Sequence, residues 1–151
     1  MTANLSPLPT SRQQIAALIP HQGSMCLLDE VTAVTADAIV CLSRSYTSAD
    51  NPLRRNGRLP AVALCEYGAQ AMAVHGGMAA RSAGQPPPSG WLVALRDVRL
   101  ELADVGVGGI LEVSARRLAA SDAVWQYEFA VAREGRMLAN GRATVMLQRD
   151  E

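Results

Sequence analysis

The sequence predicts an α+β fold in which one antiparallel sheet curls round a single long helix. Residues 60–80 are apolar or small almost all the way round, the composition of a helix enclosed by protein. Six shorter runs have the β-branched and aromatic content of strands and are divided by turn residues. Two of these runs precede the helix and four follow it, so strand and helix do not alternate as a parallel sheet would require.

Taken in order, residues 1–10 form a polar, proline-bearing lead, expected to be flexible and lacking the basic start and apolar run of a signal peptide. Ser11 is placed to cap a short helix over Gln14–Leu18, which Pro20 stops. After a proline-histidine turn, strands are expected over Met25–Val34 and Ala38–Tyr46, joined through Thr35, Ala36 and Asp37. Residues 47–59 have loop chemistry, with Asn51-Pro52, Gly57 and three arginines. Pro60 suits the first position of the long helix, which should run to about Ala80. Gly68, Gly76 and Gly77 weaken helix propensity but let neighbouring groups approach closely. Beyond Pro86-Pro87-Pro88, four strands over Trp91–Leu102, Ile110–Leu118, Val124–Arg133 and Arg136–Gln148 should make a meander. The whole chain, 1–151, reads as one domain.

Composition narrows the function. With 49% of residues hydrophobic, the chain can bury a core without disulfides or metals. Fourteen basic residues balance fourteen acidic ones and aromatics are scarce, so nucleic acid is an unsuitable partner. Cys26, Cys41 and Cys65 lack metal-ligand spacing and suit reduced thiols in a cytoplasmic protein. Lysine is absent, which excludes imine chemistry and covalent pyridoxal phosphate. His21 and His75 stand apart without clustered ligands, so no metal site is expected. No segment has the length and apolarity of a membrane span. There is no Gly-x-Ser-x-Gly elbow, and Gly106-Val107-Gly108-Gly109 lacks phosphate-loop spacing.

Glu66 is the foremost candidate for chemistry. It lies within a nearly uncharged helix, where a carboxylate either borders a cleft or is protonated by burial, and both conditions suit a general acid. The alternative is a structural carboxylate tied to backbone amides or an arginine. Gln70, one turn on, shares its face and can orient it. His21 is either a base for proton abstraction beside a thioester carbonyl or a residue that fixes its loop. His75 is out of phase with Glu66 and reads as a packing or dimer contact. The Ala61 and Val62 amides at the helix start lack intrahelical partners and could stabilise an enolate oxygen. Arg54, Arg55 and Arg58, just ahead of them, either meet a pantetheine phosphate or an acidic carrier protein, or are simply solvated.

These residues carry a resemblance. The stretch from Leu18 through Pro20-His21 to Leu28-Asp29-Glu30-Val31 resembles the opening of bacterial 3-hydroxyacyl-acyl-carrier-protein dehydratases. Leu59-Pro60-Ala61-Val62-Ala63-Leu64-Cys65-Glu66-Tyr67-Gly68-Ala69-Gln70 is similar to that family's central-helix motif, and Trp91 to Asp97 to the strand that follows. Asn51-Pro52-Leu53-Arg54-Arg55 and Gln70 through His75-Gly76-Gly77 further resemble the branch associated with aryl polyene lipid biosynthesis. The resemblance implies a hotdog fold, a dimer with active sites at the subunit interface, and loss of water from a 3-hydroxyacyl group carried on the phosphopantetheine of acyl-carrier protein, with no further cofactor. By the same resemblance Glu66 is the acid, Gln70 its support, and Ala61 the oxyanion amide in place of the family's glycine.

One position departs from the family. Where its catalytic histidine stands in a Gly-His-Phe-Pro segment, this chain reads Ala49-Asp50-Asn51-Pro52. Either His21 takes that role, or the chain is an acyl-carrier-binding subunit, as a homodimer or paired with another hotdog subunit, that depends on a partner for chemistry. Thioester hydrolysis is a third use of the same fold.

Overall fold

In the computed structural model, which describes residues 7–19, 23–106 and 108–148, the first helix starts where its cap dictates. The Ser11 hydroxyl accepts a hydrogen bond from the Gln14 amide at 3.2 Å, so α1 spans Arg12–Ala16, two residues ahead of the expected start. The strand expected from Met25 begins only at Glu30. Gly23–Met25 is instead a 3-10 turn, and residues 26–29 lie outside any strand. Side chains explain the difference: Gln70 binds the Met25 carbonyl and the Leu27 amide, and the Ser43 hydroxyl donates to the Leu27 carbonyl at 2.8 Å, in place of a ladder.

The remaining strands are β1 (Glu30–Val34), β2 (Ala38–Ser43), β3 (Leu59–Pro60), β4 (Gly90–Leu100), β5 (Asp104–Val105), β6 (Leu111–Ala120), β7 (Val124–Arg133) and β8 (Arg136–Leu147). Six of them form one antiparallel sheet in the order β1-β2-β6-β7-β8-β4, while β3 and β5 make a two-stranded ribbon. The ribbon places Pro60 at a strand end, correcting its expected place as the first helical residue. A 3-10 turn over Ala61–Ala63 follows, and α2 runs from Leu64 to Ser82.

The sheet wraps α2 as the hotdog resemblance implies, with the helix packed on β2, β6, β7 and β8. Small residues permit the closeness. A methyl group at Gly68 would lie 2.5 Å from the Phe129 ring, and one at Gly77 would collide with the Leu18 carbonyl on the opposite side. The helix is thus gripped between sheet and N-terminal segment. Cys26, Cys41 and Cys65 are buried free thiols, and burial pushes Cys41 up to about 12. No described helix is long and apolar enough to cross a membrane.

The last strand in the sheet order, β4, differs from the others. Trp91, Leu92, Val93, Leu95, Val98 and Leu100 are all at least 37% exposed, although the strand is eleven residues long and pairs on one side with β8. Gly68→Ala should lower the unfolding free energy by about 1–3 kcal/mol through overpacking. Denaturant titration checks this, and adding Phe129→Leu should recover part of the loss by making room for the methyl group.

Candidate active site

Glu66 occupies the first turn of α2, half-buried, and borders a cavity of about 230 Å³ between the helix and the sheet. The helix supplies Ala69, Ala73 and Gly76 from the same face as Glu66, at successive spacings of three, four and three residues. The sheet supplies the opposite wall. Register sets Leu92 beside Val145 and Val145 beside Trp125, so three adjacent strands present apolar side chains at one level. Gly90, Trp91 and Leu92 bring the exposed strand β4 to the rim of this cavity.

Gln70 has no exposed surface. Its Nε2 donates to the Met25 carbonyl at 2.7 Å and reaches Glu66 Oε1 at 3.4 Å, while its Oε1 accepts the Leu27 amide at 2.9 Å. One side chain therefore orients the acid and fastens the segment that begins two residues after His21. Arg12 fastens that segment from outside, through the carbonyls of Gly23 and Cys26 at 2.9 and 2.8 Å. His21 itself lies outside the described residues.

The oxyanion expectation for Ala61 is corrected. Its amide donates to the Ala103 carbonyl at 2.9 Å, because the β3-β5 ribbon carries that carbonyl over the helix start. Val62 points outward, 62% exposed, and does not line the cavity. The arginines ahead of the helix also stand outside the lining. Arg55 and Arg58 close a tight turn through Asn56 and Gly57, both at positive φ, and Arg54 donates to the Gly57 carbonyl at 2.6 Å. Arg58 also meets Asp104 at 3.5 Å as an exposed ion pair, an interaction of small energetic weight.

Asn51, in the loop that differs from the histidine segment of the 3-hydroxyacyl-acyl-carrier-protein dehydratases, is buried. Its Nδ2 donates to the Tyr67 hydroxyl at 2.8 Å and its Oδ1 accepts the Leu53 amide at 2.9 Å. Burial pushes the Tyr67 hydroxyl up to about 12. Asn51 therefore ties loop to helix and does not line the Glu66 cavity. Among the described residues, the lining contains no histidine.

The lining does contain aromatics that sequence reasoning passed over. Both of the chain's two tryptophans, Trp91 and Trp125, border the cavity, together with Tyr127. Their scarcity elsewhere in the chain was the available signal. Tyr127 donates to His75 Nδ1 at 2.7 Å, leaving His75 Nε2 to donate to the Thr35 carbonyl at 3.0 Å. That places His75 in internal packing, as one of its two sequence readings held. Among the described residues there is no cluster of groups suited to a metal ion.

Comparisons with known proteins agree with this geometry. The sequence profile of the ApeP-like family, described as ApeP dehydratase, matches residues 13–151. The dehydratase heterocomplex ApeI:P from Xenorhabdus doucetiae superposes with a TM-score of 0.82 at 22% identity, over 90% of this chain and 91% of that one. Zebra fish thioesterase superfamily member 2 superposes with a TM-score of 0.64 at 15% identity, covering 91% and 95%. A hypothetical thioesterase protein with coenzyme A from Streptococcus pneumoniae gives 0.57 at 12%, covering 81% and 87%. At these identities the structural likeness establishes the fold. No curated protein matches at the level of sequence.

Gln70→Ala would strand the Leu27 amide and Met25 carbonyl, costing about 2 kcal/mol or more of stability, which thermal and denaturant unfolding will read. A second expectation concerns pH. Burial lowers the pKa of His75 below 6.5, outweighing the opposing pull of the Thr35 carbonyl. The unfolded chain then binds the proton more readily, so this contribution to stability is complete above pH about 6.5 and is lost as pH falls toward the lowered value. Unfolding titrations between about pH 7.5 and 5.5 should show a smaller decline for His75→Gln than for the natural chain.

Proposed function

The chain belongs to the ApeP-like family of dehydratases, and from that premise we propose that it removes water from a 3-hydroxyacyl thioester carried by acyl-carrier protein in aryl polyene biosynthesis. The observation that carries this reading is Glu66: a half-buried carboxyl, held by Gln70, facing an otherwise apolar cavity. In the dehydration, a base takes the proton from the carbon next to the thioester carbonyl. The double bond forms as the hydroxyl leaves from the adjacent carbon, taking a proton from the Glu66 carboxyl to depart as water. The apolar walls favour the uncharged acyl chain and keep bulk water from the acid.

The base in this proposal is His21, whose following segment is fastened to the helix by Gln70. A partner-dependent arrangement has its own support. β4 is an unpaired edge rich in exposed apolar side chains, and it forms one rim of the cavity. A second hotdog subunit, like or unlike, seated along β4 would bury that edge and bring its own groups to the Glu66 cavity, in keeping with the heterocomplex of the ApeI:P relative. Arg55 and Arg58, exposed, with the half-buried Arg54 beside them, then offer a basic site for the carrier protein or the pantetheine phosphate.

A defined 3-hydroxyacyl-carrier substrate tests the proposal. The natural chain should yield the 2-enoyl product, and Glu66→Gln should lower the rate by about a hundredfold or more. His21→Ala should lower it comparably. Full activity of His21→Ala would assign the base elsewhere, turnover only after adding a second hotdog subunit would establish the partner-dependent arrangement, and free thiol without enoyl product would identify a thioesterase.

A further inference from the structure

The cavity has a defined far end. Glu66 and Gly76 are ten residues apart on one helix face, about 15 Å at helical rise. Between them Ala69 and Ala73 project no more than a methyl group, and Met72 stands beside them in the lining. Strand β7 runs along it in the opposite direction: Phe129 lies against Gly68 near the acid, and Trp125 lies against Gly76 at the distant end. The cavity is therefore a slot with the acid toward one end and the Trp125 indole, packed on Gly76, toward the other.

That indole is held from several sides. A methyl group at Gly76 would fall 2.9 Å from Trp125 Cζ3 and 3.4 Å from Pro88 Cγ, so strand and loop meet over the same glycine. The Arg117 guanidinium lies over the ring at 5.3 Å and is itself tied to the Ala36 carbonyl at 3.2 Å. Tyr127 packs against Trp125 in an edge contact at 6.4 Å, its hydroxyl fixed by His75. A ring restrained on this many sides closes the slot as a wall.

We propose that Trp125, seated on Gly76 and backed by Arg117, is the end stop of the acyl slot and sets the longest chain that the site accepts. This rests on the reading of the cavity as an acyl site, and Trp125 acts in it as a specificity residue. The Glu66 end receives the thioester and the reacting carbons, and the tail lies along Ala69 and Ala73 toward the indole. Each further buried methylene strengthens binding roughly fourfold until the tail meets the ring.

The test measures binding and turnover as functions of chain length. S-alkyl pantetheine thioethers, which contain no hydroxyl to eliminate, are titrated by calorimetry into the natural chain, Trp125→Ala, Trp125→Phe and Ala73→Leu. The same lengths are assayed as 3-hydroxyacyl-carrier substrates, with thermal melts checking that each variant folds. In the natural chain affinity should rise with length and then level off. Trp125→Ala should move that plateau to longer tails, favouring the first excluded length over the shorter ones by about tenfold or more, Trp125→Phe should move it less, and Ala73→Leu should move it to shorter tails. A plateau unchanged in the folded tryptophan variants overturns the end stop, whatever the turnover. A plateau that moves as expected while no length is dehydrated supports the stop and removes the dehydration reading. Absence of binding at every length overturns both.

Discussion

A buried primary amide has two donors and an acceptor to satisfy, and Gln70 does so with three residues, two in the 25–27 segment and one on its own helix. Its carbonyl oxygen takes the Leu27 amide, and its nitrogen serves the Met25 carbonyl while facing Glu66. With no exposed surface, this side chain has no water to fall back on, so any shift of the helix against the 25–27 segment would leave polar groups unpaired. The acid's orientation, the path of the chain ahead of β1 and the seating of α2 are consequently one constraint. Ser43 extends it into the sheet by donating to the Leu27 carbonyl.

The helix applies small residues in two different ways. Gly68 and Gly77 are contact points, where sheet and N-terminal segment press close to the backbone. Ala69 and Ala73 line a face where space is left open, up to the contact of Trp125 with Gly76. Composition is nearly the same along both faces. What separates contact from cavity is the opposite partner: the Phe129 side chain fills the space beside Gly68, whereas between Glu66 and Trp125 the sheet stands back. Glycine and alanine thus weaken or spare helix propensity at individual positions, while burial of the whole helix supplies its stability.

The proposed chemistry and the proposed association meet at β4. The strand bounds the Glu66 cavity with Trp91 and Leu92, and among the described residues it is an outer strand of the sheet with exposed apolar side chains. An edge of this kind favours pairing with another chain, and the proposed second subunit would cover the rim of the acyl site in the same step. The departure at residues 49–52 from the histidine segment of the 3-hydroxyacyl-acyl-carrier-protein dehydratases fits this division. Instead of offering a base, Asn51 binds Tyr67 and stabilises the loop beside the helix.

Sequence alone determined the fold class, the buried helix and the face shared by Glu66 and Gln70, because these follow from residue periodicity and local propensity; of the four-strand meander expected after the helix only β6-β7-β8 formed, since β4 crosses to the far edge and pairs with β8. Val124–Arg133 was legible to the residue, since turn chemistry marks both its ends. Tertiary structure decided the rest. It delayed the start of the first strand through side chains distant in sequence, occupied the Ala61 amide with Ala103, and brought Trp91, Trp125 and Tyr127 round a helix face that contains no aromatic of its own. Periodicity records which side of an element is buried, but not which element covers it. Cavities, occupied amides and end walls depend on that second fact, which comes into being only when the sheet closes over the helix.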